Sequence, residues 1–178
     1  MKTLRILSIL MLLALCAPLC AQVDVYISDA SGTATNLRNR AGGGAVLFSV
    51  PQSASAGMTV YRASGGWLCI DPESFYIMDA QETGCQDLLR RIRQTSCELW
   101  IHHSVICVDT RNYGGQTIQL HQQPSAGSTV VYQFTDEQRF RVLDFNADGW
   151  VRVRSFDRKH EGWVLQEWLC GNPVTTCV

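Results

Sequence analysis

The sequence predicts a mainly β protein, built as two small β-barrels or sandwiches in tandem and joined by a short helical connector. Three observations predict it. Short stretches with period-two alternation recur between turn signals. A leucine stands thirty positions before a Gly-Trp pair twice, Leu37 before Trp67 and Leu120 before Trp150. Between these copies, residues 81–97 carry a helical spacing of apolar residues instead.

The chain has 178 residues, and its start reads as a leader rather than as fold. Lys2 and Arg5 precede the apolar run Ile6 to Leu15, which is too short to span a bilayer. Leu19 and Ala21 suit cleavage before Gln22, so residues 1–21 are expected to be a signal peptide. Leu19 disfavours a lipid anchor at Cys20, where a small preceding residue is expected. The expected product is exported, periplasmic or extracellular, with no stable membrane span after cleavage. Loss of Lys2 and Arg5 leaves thirteen basic against sixteen acidic side chains. That balance excludes a nucleic-acid binder, which needs a strongly basic surface.

The first copy is assigned to residues 22–83. Val23 to Ile27 alternates and starts it, "ATNLRNRAGGGAVLFSV" follows, and "SGGWLCID" carries Trp67. There Leu68 and Ile70 point inward and Cys69 outward. "ESFYIMD", residues 73–79, is expected to form the next strand, with Phe75 or Tyr76 as its aromatic residue. Residues 84–104 form the connector, with one helix presenting Leu88, Leu89 and Ile92 on its apolar face and then the start of a hairpin. The second copy takes residues 105–178. In it "FRVLDF" and "WVRVRSF" alternate about the turn Asp148-Gly149, with Val151 and Val153 inward and Arg152 and Arg154 outward.

Six cysteines lie beyond the leader: Cys69, Cys85, Cys97, Cys107, Cys170 and Cys177. An even count in an exported chain suggests disulfides, and six cysteines allow fifteen pairings. Local symmetry ranks them. "CELWIHHSVIC" is centred on His102, so a hairpin there would set Cys97 opposite Cys107. "CGNPVTTC" would close a short loop between Cys170 and Cys177, leaving Cys69 for Cys85. No Cys-x-x-Cys pair supports a zinc site.

The order of these motifs resembles the bacterial SH3-like (SH3b) domain family, as two tandem copies of which the first is divergent. The matching residues in the second copy are Leu120, Pro124, Val130, Val131, Gly149, Trp150, Val151, Val153, Gly162, Trp163, Val164 and Leu169. In the first they are Asn36, Leu37, Arg38, Val46, Leu47, Gly66, Trp67, Leu68 and Ile70. The first copy lacks the second Gly-Trp pair, and Gln119-Leu120-His121 departs from the usual Asn-Val-Arg type of run. The resemblance implies a five-stranded barrel in each half. It also implies a groove for a short peptide, a peptidoglycan stem or a protein partner.

No constellation of nucleophile, base and metal stands out, so no enzyme activity and no cofactor are expected. His102-His103 reads as a solvated turn and His160 as an exposed loop residue. "NADGW" lacks the downstream glutamate of a calcium loop. Arg139, Arg141, Arg152 and Arg154 fall outward on adjacent strands, and Asp136, Glu137, Asp157 or Glu161 are the candidates to balance them. The candidate ligand-binding residues are Tyr113, Tyr132, Trp150, Arg152, Arg154 and Trp163. The expected partner is a cell-wall peptide or an envelope protein. The alternative is a structural or inhibitory role in an envelope assembly.

Overall fold

A computed structural model describes residues 21–172 and Cys177. Residues 1–20 of the expected leader and Pro173 of the expected terminal turn lie outside the described residues. The described chain is mainly antiparallel β-sheet with one α-helix, and none of its helices is long and apolar enough to cross a membrane.

Fourteen strands form among the described residues. They are β1 (Val23–Ile27), β2 (Thr35–Arg38), β3 (Val46–Val50), β4 (Ala56–Ser64), β5 (Trp67–Ile70), β6 (Tyr76–Ile77) and β7 (Leu99–His102). Then come β8 (Ile106–Thr110), β9 (Ile118–His121), β10 (Val130–Phe134), β11 (Arg139–Phe145), β12 (Trp150–Ser155), β13 (Glu161–Leu165) and β14 (Leu169–Cys170). Helix α1 spans Gln86–Arg93. The hydrogen-bonded path runs β10-β9-β13-β12-β11-β8-β1-β4-β5-β7-β2-β3 and is open at both ends; β14 adds to β8 and β6 to β4.

The pairings repeat. The series β4-β5-β7-β2-β3 has the same sequence order as β11-β12-β13-β9-β10. A shift of 83 positions carries β1 onto β8, Leu37 onto Leu120 and Trp67 onto Trp150. A shift of 63 positions carries β7 into β13, Trp100 onto Trp163 and the 3-10 turn His103–Val105 onto Gln166–Trp168. The registers agree: Cys69 faces Trp100 and Leu68 faces Ile101, as Arg152 faces Trp163 and Val151 faces Val164.

Alternation builds the core. Leu37, Leu68, Ile70 and Ile101 are fully buried, as are Leu120, Val151 and Val153, with Val164 nearly so. Gly66 and Gly149 hold φ of +84° and +78°, backbone that a side chain rarely adopts, and so turn the chain into the tryptophan strands. Asn146 tightens the second turn: its Oδ1 accepts from the Asp148 and Trp150 amides, both at 3.0 Å. Gly162 lets β13 approach β9. A Cβ there would sit 2.9 Å from the His121 carbonyl oxygen, from Leu120 Cβ and from a Val131 methyl.

Four sequence expectations change. "ESFYIMD" does not lie beside β5. It forms a 3-10 turn (Pro72–Ser74) and β6, which pairs with β4, while Phe75 is buried in the core. The place beside β5 goes to β7, so Trp100 is the second tryptophan of the first half. The two shifts differ by twenty residues, and that excess lies between β5 and β7, where it carries β6 and α1.

The hairpin about His102 is absent. β7 pairs with β5 and β2, whereas β8 pairs with β1, β11 and β14. A 3-10 turn separates them, capped by His102 Nδ1, which accepts from the Ser104 amide at 3.3 Å.

Cys97 is consequently not paired with Cys107, nor Cys69 with Cys85; all four are free thiols. The expected Cys170–Cys177 disulfide is present. Cys69 points to the outer face yet is fully buried, because Tyr61, Arg62 and Trp100 cover it. Its thiol donates to the Tyr61 hydroxyl at 3.1 Å.

Helix α1 docks as expected, with Ile92 buried and Leu88 and Leu89 packed partly against the core. Asp87 in its first turn and three arginines in its last turn suit the helix dipole. Arg93 Nε anchors it to the Phe75 carbonyl at 2.7 Å.

Two outcomes follow from this packing. Gly162→Ala should cost about 1–3 kcal/mol, because three packed neighbours meet the new methyl group, and urea unfolding with the slope compared to wild type measures it. Thiol titration of the folded protein should find Cys97 alone reacting quickly, and urea should expose Cys69, Cys85 and Cys107 as well. A second fast thiol in the folded state would contradict the burial described here.

Candidate functional site

Strands β12, β13 and β9 share an outer face. Trp150, Arg152 and Arg154 alternate outward along β12. Opposite them on β13 stand Leu165, Trp163 and Glu161. His121 of β9 faces Trp163 in turn. Four of the six sequence-predicted binding residues therefore meet on one surface.

Trp150 lies at one end of this face and is only 8% exposed. Its ring meets His121 edge-on, with centroids 5.5 Å apart. Together with Gln119, Leu165 and Trp168 they line a hollow of about 140 Å³. His121 Nδ1 lies 3.2 Å from the Ser128 carbonyl oxygen, which ties the hollow to the β9–β10 turn. Its lining sets the Trp150 and Trp168 rings and aliphatic side chains beside the polar Thr117, Gln119 and His121, a combination that receives a small apolar group and orients it.

The arginines hold the other end. Glu161 bridges both, accepting from Arg154 Nε at 2.6 Å and pairing with Arg152 through its other oxygen. Burial alone would raise the Glu161 carboxyl. The Arg154 hydrogen bond and the charges of Arg152 and Arg154 outweigh it and hold the group below the usual carboxylate range. One carboxylate thus serves two guanidinium groups, and the pair keeps a net positive charge. Of the proposed acidic partners, Glu161 fulfils the role for these two. Arg139 is instead balanced by Asp109, with Nε to Oδ1 at 2.7 Å.

Tyr132 and Tyr113 stand apart. Tyr132 stacks on His160 at 3.7 Å between centroids and on Phe134 at 5.4 Å, and its hydroxyl accepts from Gln138 Nε2 at 3.0 Å. It covers one end of the core, and His160 is half-covered by it rather than free in solvent. Tyr113 is 41% exposed in the β8–β9 loop. No ring contact or hydrogen bond joins it to the tryptophan face among the described residues.

Sequence reasoning missed the counterpart on the first half. Arg62 pairs with Glu98, Trp100 Nε1 donates to the same carboxylate at 3.2 Å, and the Arg62 guanidinium lies 4.9 Å from the Trp100 ring. Glu98 corresponds to Glu161 and Trp100 to Trp163. The signal was available in "ELWI" against "EGWV".

Residues 116–169 match the family model described as bacterial SH3 domain. No curated protein matches the chain. Among solved structures, NlpC2 from Trichomonas vaginalis is 12% identical with a TM-score of 0.32, over 84% of this chain and 48% of that one. NlpC1 from the same organism is 13% identical with a TM-score of 0.32, over 84% and 45%. The chain spans about half the length of these structures. The matched segment runs from just before β9 to the start of β14 and contains the whole tryptophan–arginine face.

The Glu161 bridge gives a pH-dependent outcome. Its folded-state pKa is depressed, so its contribution is complete above the unfolded value near 4.3 and fades as pH falls through the folded value. Glu161→Gln should lower stability by roughly 0.5–1.5 kcal/mol at pH 7. The gap from wild type should narrow at about pH 3.5. Urea midpoints at both pH values check this, and a gap of equal size at both would contradict it.

Proposed function

We propose that each half is a bacterial SH3-like module, the first divergent at residues 22–83 and the second at residues 105–178. The protein is an exported, non-catalytic binding module that recognises cell-wall peptide through the outer face of its second half. The connector of residues 84–104 carries α1 and contributes β7 to the first module.

The observation that carries this reading is the pairing of the Trp150 hollow with the Arg152–Glu161–Arg154 bridge on one face of the segment matched by the bacterial SH3 family model. A wall peptide offers small apolar side chains and free carboxylates. The hollow suits the first and the surplus guanidinium charge the second. Trp163, half-buried between them, supplies a flat contact. The non-catalytic part of the reading draws support from the thiols. Burial, ahead of any hydrogen bond, pushes the Cys69 and Cys107 thiols up, which disfavours the thiolate a nucleophile needs.

Co-sedimentation with purified sacculi tests the reading. The wild-type protein should pellet with the wall, and Trp163→Ala and Arg152→Gln should each weaken retention about tenfold, with circular dichroism unchanged. A folded wild type that stays in the supernatant would turn the reading towards docking on an envelope protein.

A further inference from the structure

A second, larger cavity opens on another part of the surface, away from the tryptophan hollow. It measures about 370 Å³. His102 comes to it from the end of β7 and His103 from the turn beyond, Arg141 from β11, and Arg154, Phe156 and Arg158 from β12 and the turn after it. No acidic residue lines it.

We propose that this cavity binds a phosphomonoester, with Arg141, Arg154 and Arg158 around the phosphate and Phe156 against the organic part. This goes beyond the wall-peptide reading and shares only Arg154 with it.

Charge is the first argument. Arg141 is half-buried, and its Nη1 donates to the Ser28 and Ile106 carbonyls at 2.8 and 3.0 Å. Those partners fix the guanidinium but do not neutralise it. Asp29 is the acid whose field reaches Arg141, yet it makes no ion pair with it; its oxygens accept from the Ser31 amide at 2.9 Å and the Thr35 hydroxyl at 2.8 Å. Arg154 uses Nε for a carboxylate that it shares with Arg152. The Arg158 side chain has no hydrogen bond or ion pair among the described residues. Its backbone φ of +64° is a costly conformation, held at the rim of the cavity. Arg141 and Arg154 are direct cross-strand partners, Arg158 lines the same cavity, and like charges so placed lower stability unless an anion answers them.

His103 supplies an independent sign. Its Nδ1 is fully buried and has no hydrogen-bond partner. A buried polar atom without a partner marks a place where a further group completes the structure. Burial first, then the charges of His102, Arg154 and Arg141, press its pKa below the usual histidine value. Arg141 and Arg154 thus lie close enough to His103 for their charge to add to the effect of burial.

Size and valence select the ligand class. One carboxylate would offset one guanidinium only, whereas a phosphomonoester carries about −1.5 to −2 at neutral pH. The cavity falls within the roughly 300–1,000 Å³ of small-molecule sites and exceeds what a bare anion fills. Phe156 is 46% exposed, and the Arg141 guanidinium lies 4.0 Å from its ring centroid. An aromatic face beside an anion site suits the ring of a sugar or a comparable organic group. The phosphate could be carried by a soluble molecule or by a lipid headgroup.

Glucose 6-phosphate and vesicles of phosphatidylcholine containing phosphatidic acid separate these sources. Calorimetry and amide NMR shifts are followed on the purified protein at pH 7. Glucose 6-phosphate should bind with shifts at His103, Phe156 and Arg158, and glucose should not. Arg158→Gln should weaken binding about tenfold, and Arg40→Gln, an exposed charge elsewhere, should leave it unchanged. Phe156→Ser should weaken glucose 6-phosphate more than inorganic phosphate. Vesicle binding competed by glucose 6-phosphate would assign the same site to a lipid phosphate. Absence of binding to both probes overturns the proposal. So does binding that neither Arg158→Gln nor Phe156→Ser alters. Sacculi retention is a separate readout, so either result leaves the wall reading to its own test.

Discussion

Strand β8 must satisfy three neighbours at once, and the arrangement of both halves follows from that demand. Its first residues pair with β1, Tyr26 against Cys107 and Ile27 against Ile106. Its last residues pair with β11 and β14, Arg139 against Asp109 and Leu169 against Thr110. Four of its five residues are buried. Backbone amides and carbonyls in such a place must find partners within the protein. The strand therefore closes the first half, opens the second and fixes their joint. Side chains reinforce it: the Tyr26 hydroxyl donates to Asp109 at 2.6 Å, and Arg139 reaches the same carboxylate while lying over the Tyr26 ring at 5.4 Å. Burial and the Asp109 bond raise the tyrosine's pKa, which keeps the phenol protonated as donor.

Both proposed sites inherit their geometry from this frame. β12 gives its inner residues, Val151 and Val153, to the core and its outer residues to recognition. Arg154 stands between the tryptophan face and the arginine cavity. The cavity exists because the end of β7 and the turn that leads from it into β8 set His102 and His103 beside β11 and β12. The joint between the halves thus makes a surface that neither half has alone.

Much of this was legible in the sequence, for physical reasons that can be named. Leu37 and Leu120 announced their strands because a buried alternating position tolerates little else. Gly66-Trp67 and Gly149-Trp150 announced theirs because the preceding backbone needs positive φ, and Gly162-Trp163 because β13 must pass close to β9. The place of β7 was hidden. Its tryptophan follows Leu99 rather than glycine, and the intervening insertion put "ESFYIMD" at the expected spacing. The cysteines misled because an even count suggested complete pairing. Three of the free ones instead fill small buried positions as apolar side chains do. The second cavity was invisible because it joins His103 to arginines far along the chain, and no local pattern encodes a joint between distant strands.

An open antiparallel path ends in two strands, β3 and β10, each with one side unpaired among the described residues. Val46, Val130 and Val131 lie exposed there. Straight edges of that kind invite further chains to add on and grow into fibres. Both are spoiled in the same manner. The register between β2 and β3 slips at Leu37/Arg38, and that between β9 and β10 slips at Val130/Tyr132. Bulges twist an edge out of the plane that a stacking copy would need. Irregular register at both outer strands thus works against growth of the sheet from one copy into the next.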